Sequence, residues 1–145
     1  MVTQDHELAI NAKVIQRKGT KRQLYELTTE EKVCAWLDKF GFDRNNLGKR
    51  KGKWRSSAMT TACYWGELDV CEFLYQHGSN LIRNREKDGQ TPLHKACRKG
   101  HLEIVQWLIE VGASDDLKEV DIDGSLPIHL ACKNGHFLIV KWILD

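Results

Sequence analysis

His94-x-x-Cys97 and His129-x-x-Cys132 each set an imidazole and a thiol three residues apart, the second pair 35 residues after the first. Zinc gathers four such ligands at about 2.0–2.3 Å, so two pairs brought together would complete a site. The same partners also suggest a cysteine nucleophile with a histidine base, although that chemistry needs a third group to orient the base. Asp115, Asp116, Asp121 and Asp123 are concentrated in one short stretch, without the glycine and closing glutamate of a calcium loop at the required spacing. No glycine-rich phosphate cradle occurs anywhere. What the histidines and cysteines can do therefore depends on the elements that carry them.

Those elements are short helices. Asp88-Gly89 is a turn pair; Thr91 is a helix cap with Pro92 in the first helical position, and Gly100 stops that helix. A second helix follows, with Ile104, Val105, Leu108 and Ile109 on one face and Gly112 as its stop. Helices of two or three turns cannot bury their apolar faces alone. Copies flank this unit. Asp123 to His136 repeats it at an offset of 35 residues, Ser57 to Leu74 matches at 34, and Val33 to Gly41 aligns with its second helix. Such a period signifies a stacked helical solenoid. Stacking holds equivalent residues roughly 10 Å apart, about a helix diameter with its side chains, which is too far for the two His–Cys pairs to share one ion.

The chain resembles the ankyrin repeat family. Thr91-Pro92-Leu93-His94, Ala96, Gly100-His101, Ile104-Val105, Leu108 and Gly112-Ala113 follow its consensus. Pro127, His129, Ala131, Gly135-His136, Ile139-Val140 and Ile143 follow it again. The resemblance implies an all-α solenoid of stacked helix-turn-helix units with hairpin-like finger loops. It also implies that the motif histidine bonds turn backbone instead of a metal, and that the module binds proteins without catalysis or cofactor.

The expected organisation is an N-terminal extension over residues 1–27, a capping half-repeat with a basic finger over 28–54, and repeats over 55–87, 88–122 and 123–145, the last one shortened. Leu8, Ala12 and Ile15 have helical spacing within the extension. Thr28 and Glu31 have the spacing of a capping box. Lys49, Arg50, Lys51, Lys53 and Arg55 crowd around Trp54 in the basic finger. Residues 1–55 carry 13 basic and 7 acidic side chains (+6), whereas residues 56–145 carry 9 and 13 (−4). A basic front on a mildly acidic body allows nucleic-acid or anionic-surface binding through residues 49–55 as the alternative function.

No apolar run approaches the eighteen or so residues of a membrane span, and neither a secretory signal nor a transit peptide is convincing. Cys63, Cys97 and Cys132 share one first-helix position, and Cys34 and Cys71 share one second-helix position. The placement suits small packing residues and not a disulfide framework, so the expected location is reducing: cytoplasmic, with the nucleus as alternative.

The expected function is a non-catalytic interaction module or scaffold, a subunit or adaptor within a larger assembly whose partners are one or more proteins. In the family's register the groove is lined by Thr61, Tyr64 and Trp65, by Lys95, Arg98 and Lys99, and by Leu130, Lys133 and Asn134. Phe137–Leu144 is apolar on nearly every side, and one helix face cannot bury it all. Phe137, Leu138, Trp142 and Leu144 are the candidates to remain outside, which marks the end of this helix as a docking surface.

Overall fold

Among the residues described by the computed structural model (28–47, 49 and 56–145), the chain runs through seven α-helices. These are α1 (Thr29–Phe40), α2 (Ala58–Trp65), α3 (Leu68–His77), α4 (Pro92–Lys99), α5 (Leu102–Leu108), α6 (Pro127–Lys133) and α7 (Phe137–Leu144). The expected N-terminal extension, and Arg50, Lys51, Lys53, Trp54 and Arg55 of the basic finger, lie outside the described residues.

Four of the seven helices, α1, α2, α4 and α6, have their starts tied by a side-chain hydrogen bond. The Thr28 hydroxyl accepts the Glu31 N–H at 3.2 Å while the Glu31 carboxylate accepts the Thr28 N–H at 2.8 Å, a closed capping box. Ser57 caps α2 by accepting the Thr60 N–H at 3.2 Å. Thr91 caps α4, with Pro92 at its start. Leu126 has no side-chain oxygen to offer α6, whose start is instead tied by the Leu126 N–H donating to Nδ1 of His129 at 3.0 Å.

The helices stand in two rows. In the inner row α2 packs on α4 and α4 on α6; the outer row runs through α1, α3, α5 and α7. Ala62, Ala96 and Ala131 are fully buried in the inner row, and their small side chains suit a close approach of neighbouring helices. Leu37, Met59, Leu74, Leu93, Ile104, Leu108 and Ile139 fill the space between the rows. Each large apolar side chain removed from water contributes about 1.5–3 kcal/mol, so these few positions carry much of the fold.

Adjacent repeats are joined by polar contacts that recur in register. The His101 ring lies over Gly66 and donates through Nε2 to the Tyr64 carbonyl oxygen at 3.0 Å. One repeat later the His136 ring lies over Gly100 and donates to the Arg98 carbonyl oxygen, also at 3.0 Å. A Cβ on Gly100 would come within 2.5 Å of that ring, and its φ of +83° disfavours any other residue. The loops join likewise. The Ser57 N–H donates to the Glu86 carboxylate at 3.1 Å, the Gln90 amide donates to Asp121 at 3.0 Å, and the Ile122 N–H donates to the Asp88 carbonyl oxygen at 2.9 Å. Arg85 also pairs with Glu119.

His94 joins both scales. Its Nδ1 accepts the Thr91 N–H at 3.2 Å, and its Nε2 donates to the Ser125 carbonyl oxygen of the next repeat at 3.2 Å. Acceptance at Nδ1 requires the neutral ring with its proton on Nε2. Burial holds its pKa below the ordinary histidine value, against the upward pull of the Ser125 carbonyl and the Asp121 carboxylate. A lowered value means that the unfolded chain binds the proton more readily. The stability contributed by neutral His94 is therefore complete above about pH 6.5 and is lost as pH falls through the lower folded value. Urea melts should show the midpoint dropping across that window, with a shallower drop in His94→Ala. That substitution should itself cost roughly 2–4 kcal/mol at neutral pH.

Candidate protein-interaction groove

Of the two pairs that open the chemical question, His94 and Cys97 are structural, whereas His129 and Cys132, expected as their packing equivalents, are exposed. Both nitrogens of His94 are committed to Thr91 and Ser125, which leaves none for a metal. The Cys97 thiol is fully buried, and burial pushes its pKa up to about 12, far from a usable thiolate. Among the described residues, no three His, Cys, Asp or Glu side chains converge on a point that could hold a metal ion. Asp121 builds its own turn, accepting the N–H groups of Asp123 and Ser125 at 2.9 Å each. Burial pushes the Asp121 pKa up, but these N–H groups and the Gln90 amide outweigh it and leave the carboxyl below its usual range. Asp116 is buried beside Arg83 at 3.5 Å; burial raises its pKa and the guanidinium offsets part of the rise.

What the inner row presents outward is a surface of a different kind. Tyr64 and Trp65 close α2, their rings meeting edge to face at 5.2 Å between centroids. Lys99, from the end of α4, brings its Nζ to 4.9 Å from the Tyr64 ring centroid, a cation–π contact across the repeat boundary. Trp65 keeps 55% of its surface in water. Arg98, Lys99, Lys133 and Asn134 are exposed on the same row. None of the three inner helices contains an acidic residue, whereas the outer row carries Asp69, Glu72 and Glu103. A basic, aromatic wall thus lies on a body that is acidic overall.

Not every expected groove residue is equally free. Thr61 is half-buried and donates its hydroxyl to the Ser57 carbonyl oxygen at 2.9 Å. Lys95 folds back so that its Nζ meets Asp88 at 2.9 Å, leaving its side chain 13% exposed. Leu130, expected in the open groove, is buried instead. It shares the register of Lys95, whose side chain turns toward the finger, so this position faces the loop and not the groove floor. Lys49 of the basic finger is exposed. On α7, Phe137, Leu138 and Leu144 are exposed, while Trp142 is half-buried against the core.

Two further apolar residues stand out on the last finger. Val120 and Ile122 are exposed where Arg85 and Lys87 stand one repeat earlier. Comparing the fingers residue by residue would have flagged this change from basic to apolar.

Family comparison agrees with this architecture. The model of ankyrin repeats in three copies matches residues 27–119 and 80–145, nearly the whole described stack. The chain belongs to the ankyrin repeat family. Ankyrin repeats are protein-interaction modules, and this one forms an all-α solenoid. Mouse serine/threonine-protein kinase TNNI3K is 38% identical over 60 residues, which is 41% of this chain and 7% of the kinase. Mouse protein phosphatase 1 regulatory subunit 27 is 36% identical over 65 residues, 45% of this chain and 42% of that protein. Human ankyrin repeat and KH domain-containing protein 1 is 40% identical over 60 residues, 41% of this chain and 2% of that protein. The chain thus spans less than half the length of each of these relatives. No helix among the described residues is long and apolar enough to cross a membrane.

The exposure of Trp65 separates surface duty from packing. Trp65→Ala should change stability by no more than about 0.5 kcal/mol in thermal or urea melts. Met59→Ala, six residues earlier on the same helix and fully buried, should cost about 2–5 kcal/mol. Comparable losses for the two would make Trp65 a packing residue.

Proposed function

We propose that the chain is a non-catalytic adaptor or subunit of a larger assembly, taking protein partners in the concave groove, along the fingers and at the exposed end of α7. The observation that carries the reading is the Tyr64–Trp65–Lys99 cluster, two aromatic rings and an ammonium left at the mouth of a row with no acidic residue. Large aromatics and arginine dominate the energetics of protein interfaces because they bury much area at little entropic cost. Lys99, Arg98 and Lys133 set the sign of the partner: a segment that carries carboxylates and an aromatic or aliphatic anchor. The regulatory-subunit name of the phosphatase relative accords with a role exercised through binding.

The working compartment is a reducing one, cytoplasm or nucleus. Five free thiols support it, two of them, Cys63 and Cys71, lying unbonded at 3.6 Å between sulfurs. Nucleic acid is the second reading, favoured by the same basic wall together with Lys49, Arg50, Lys51, Lys53 and Arg55. Its signature would be affinity that falls steeply and linearly in a log–log plot against salt.

Partner capture from cell extract followed by calorimetry on the purified pair tests the groove. The Tyr64→Ala, Trp65→Ala, Arg98→Ala triple variant should keep its helical signal and lose at least about 2 kcal/mol of affinity, one hot spot's worth. Unchanged affinity in a folded variant would move the interface off the groove. Glutamine at Lys49, Arg50, Lys51 and Lys53 should flatten the salt dependence of binding while leaving the melting curve in place. Persistent salt dependence would make that finger a solvated loop.

A further inference from the structure

In the first complete helix pair, Cys63 of α2 and Cys71 of α3 place their sulfurs 3.6 Å apart, and both side chains are fully buried. We propose that this pair is a modification site: a small-molecule disulfide such as glutathione disulfide oxidises it to an intrachain bond that resets the end of α2. The consequence for binding rests on the proposed groove; the formation of the bond does not.

Repeat packing accounts for one of these thiols and leaves the other over. Cys63 shares its register with Cys97 and Cys132, so a small first-helix residue is common to all three helix pairs. The Cys71 position is filled by Val105 in α5 and by Val140 in α7, aliphatic residues with nothing to oxidise. Of the three pairs, the first alone brings a thiol to both positions. A disulfide is about 2.05 Å long, so closing the gap takes about 1.5 Å of movement shared between the two side chains and their helices.

The step balances between two thiols and one oxidant. One cysteine, as the thiolate, attacks a sulfur of glutathione disulfide and releases one glutathione thiolate. The other cysteine then attacks the protein sulfur of that mixed disulfide, forms the Cys63–Cys71 bond and releases the second. The two cysteine protons pass to the departing thiolates. The chain gives up two electrons, and glutathione disulfide is reduced to two glutathiones.

Burial sets when this happens. Neither thiol is reachable in the closed stack, and burial, reinforced by the neighbouring Cys71 thiol, pushes the Cys63 pKa well above the ordinary thiol value. The first attack therefore needs α2 and α3 to part, a local opening short of global unfolding. Reclosure drives the second attack. Two buried sulfurs in contact leave no room for an attached glutathione, and they hold each other at a very high effective concentration. The helix pair thus closes by expelling the adduct as the internal bond.

The bond reaches the groove because Cys63 immediately precedes Tyr64. The Tyr64 carbonyl is held by His101 and its ring by Lys99, both from the next repeat. Drawing Cys63 toward α3 pulls against both contacts and shifts Tyr64 and Trp65 relative to Lys99.

The test uses the full chain carrying Cys132→Ser, which removes the exposed thiol, in oxidised glutathione under native conditions. Free thiols are then blocked, and cleavage after Glu67 separates the two cysteines. The expected product is lighter by two hydrogens, links the peptides of Cys63 and Cys71, keeps its helical signal and returns to the dithiol with dithiothreitol. Cys97, equally buried in the same register, is the internal control: Cys63 should lose its free thiol at least about tenfold faster. Cys71→Val, which installs the residue of the later repeats, should erase that difference, and Cys71→Ser is the second variant for the same comparison. The Trp65 indole resonance, assigned with Trp65→Phe, should shift in the oxidised chain and recover on reduction. Equal loss of Cys63 and Cys97, a bond to any other cysteine, or a crosslink that appears only with loss of helical signal overturns the dithiol site. A closed bond with an unmoved Trp65 resonance overturns its action on α2. No partner is present in any arm, so each failure leaves the groove reading standing, and failure of the groove variants leaves this test unaffected.

Discussion

The imidazole laid over a glycine is the contact on which the rest of this solenoid depends. His101 on Gly66 and His136 on Gly100 fix the spacing of adjacent repeats, because only a residue without a side chain leaves room for the ring. The same ring donates to the carbonyl oxygen near the end of the preceding inner helix, Tyr64 in one case and Arg98 in the other. One contact therefore closes a helix end, sets the distance between repeats and aligns the two rows. Alanines at the helix–helix contacts and leucines between the rows can pack only once that distance is set.

Nearest-neighbour construction also produces the surface proposed to bind partners. Tyr64 and Lys99 belong to different repeats and meet because α2 and α4 are held side by side. The inner row faces the groove with basic and aromatic groups, while acidic residues stand on the outer row. Stacking thus turns a periodic sequence into a surface with a sign. The residues differ at each register position, Tyr64 against Arg98 and Trp65 against Lys99, so the proposed groove is not the same from one repeat to the next.

Much of this was legible in the sequence because it is local or periodic. The Thr28–Glu31 capping box, the glycine stops and the repeat register follow from neighbours in the chain, and so does the excess of apolar residues on α7. What was not legible is what one repeat does to the next. Cys132 looks like a packing cysteine beside Cys63 and Cys97, but those two are buried and Cys132 is exposed. Leu130 looks like a groove residue, but its position turns toward the finger and is buried. The Gln90–Asp121 bond and the exposed Val120 and Ile122 depend on how successive fingers lie together, which no single repeat encodes.

Native-state hydrogen exchange of the whole chain tests the claim that neighbours hold each repeat in place. Helices α4 and α5 have a repeat on both sides and should exchange slowest, through an opening close to global unfolding. Protection should decline outward in both directions, reaching its minimum at Phe137–Leu144, where Phe137, Leu138 and Leu144 face water. Uniform protection from α1 to α7 would contradict this account, since it would mean that the chain opens as one unit and that its stability does not pass from neighbour to neighbour.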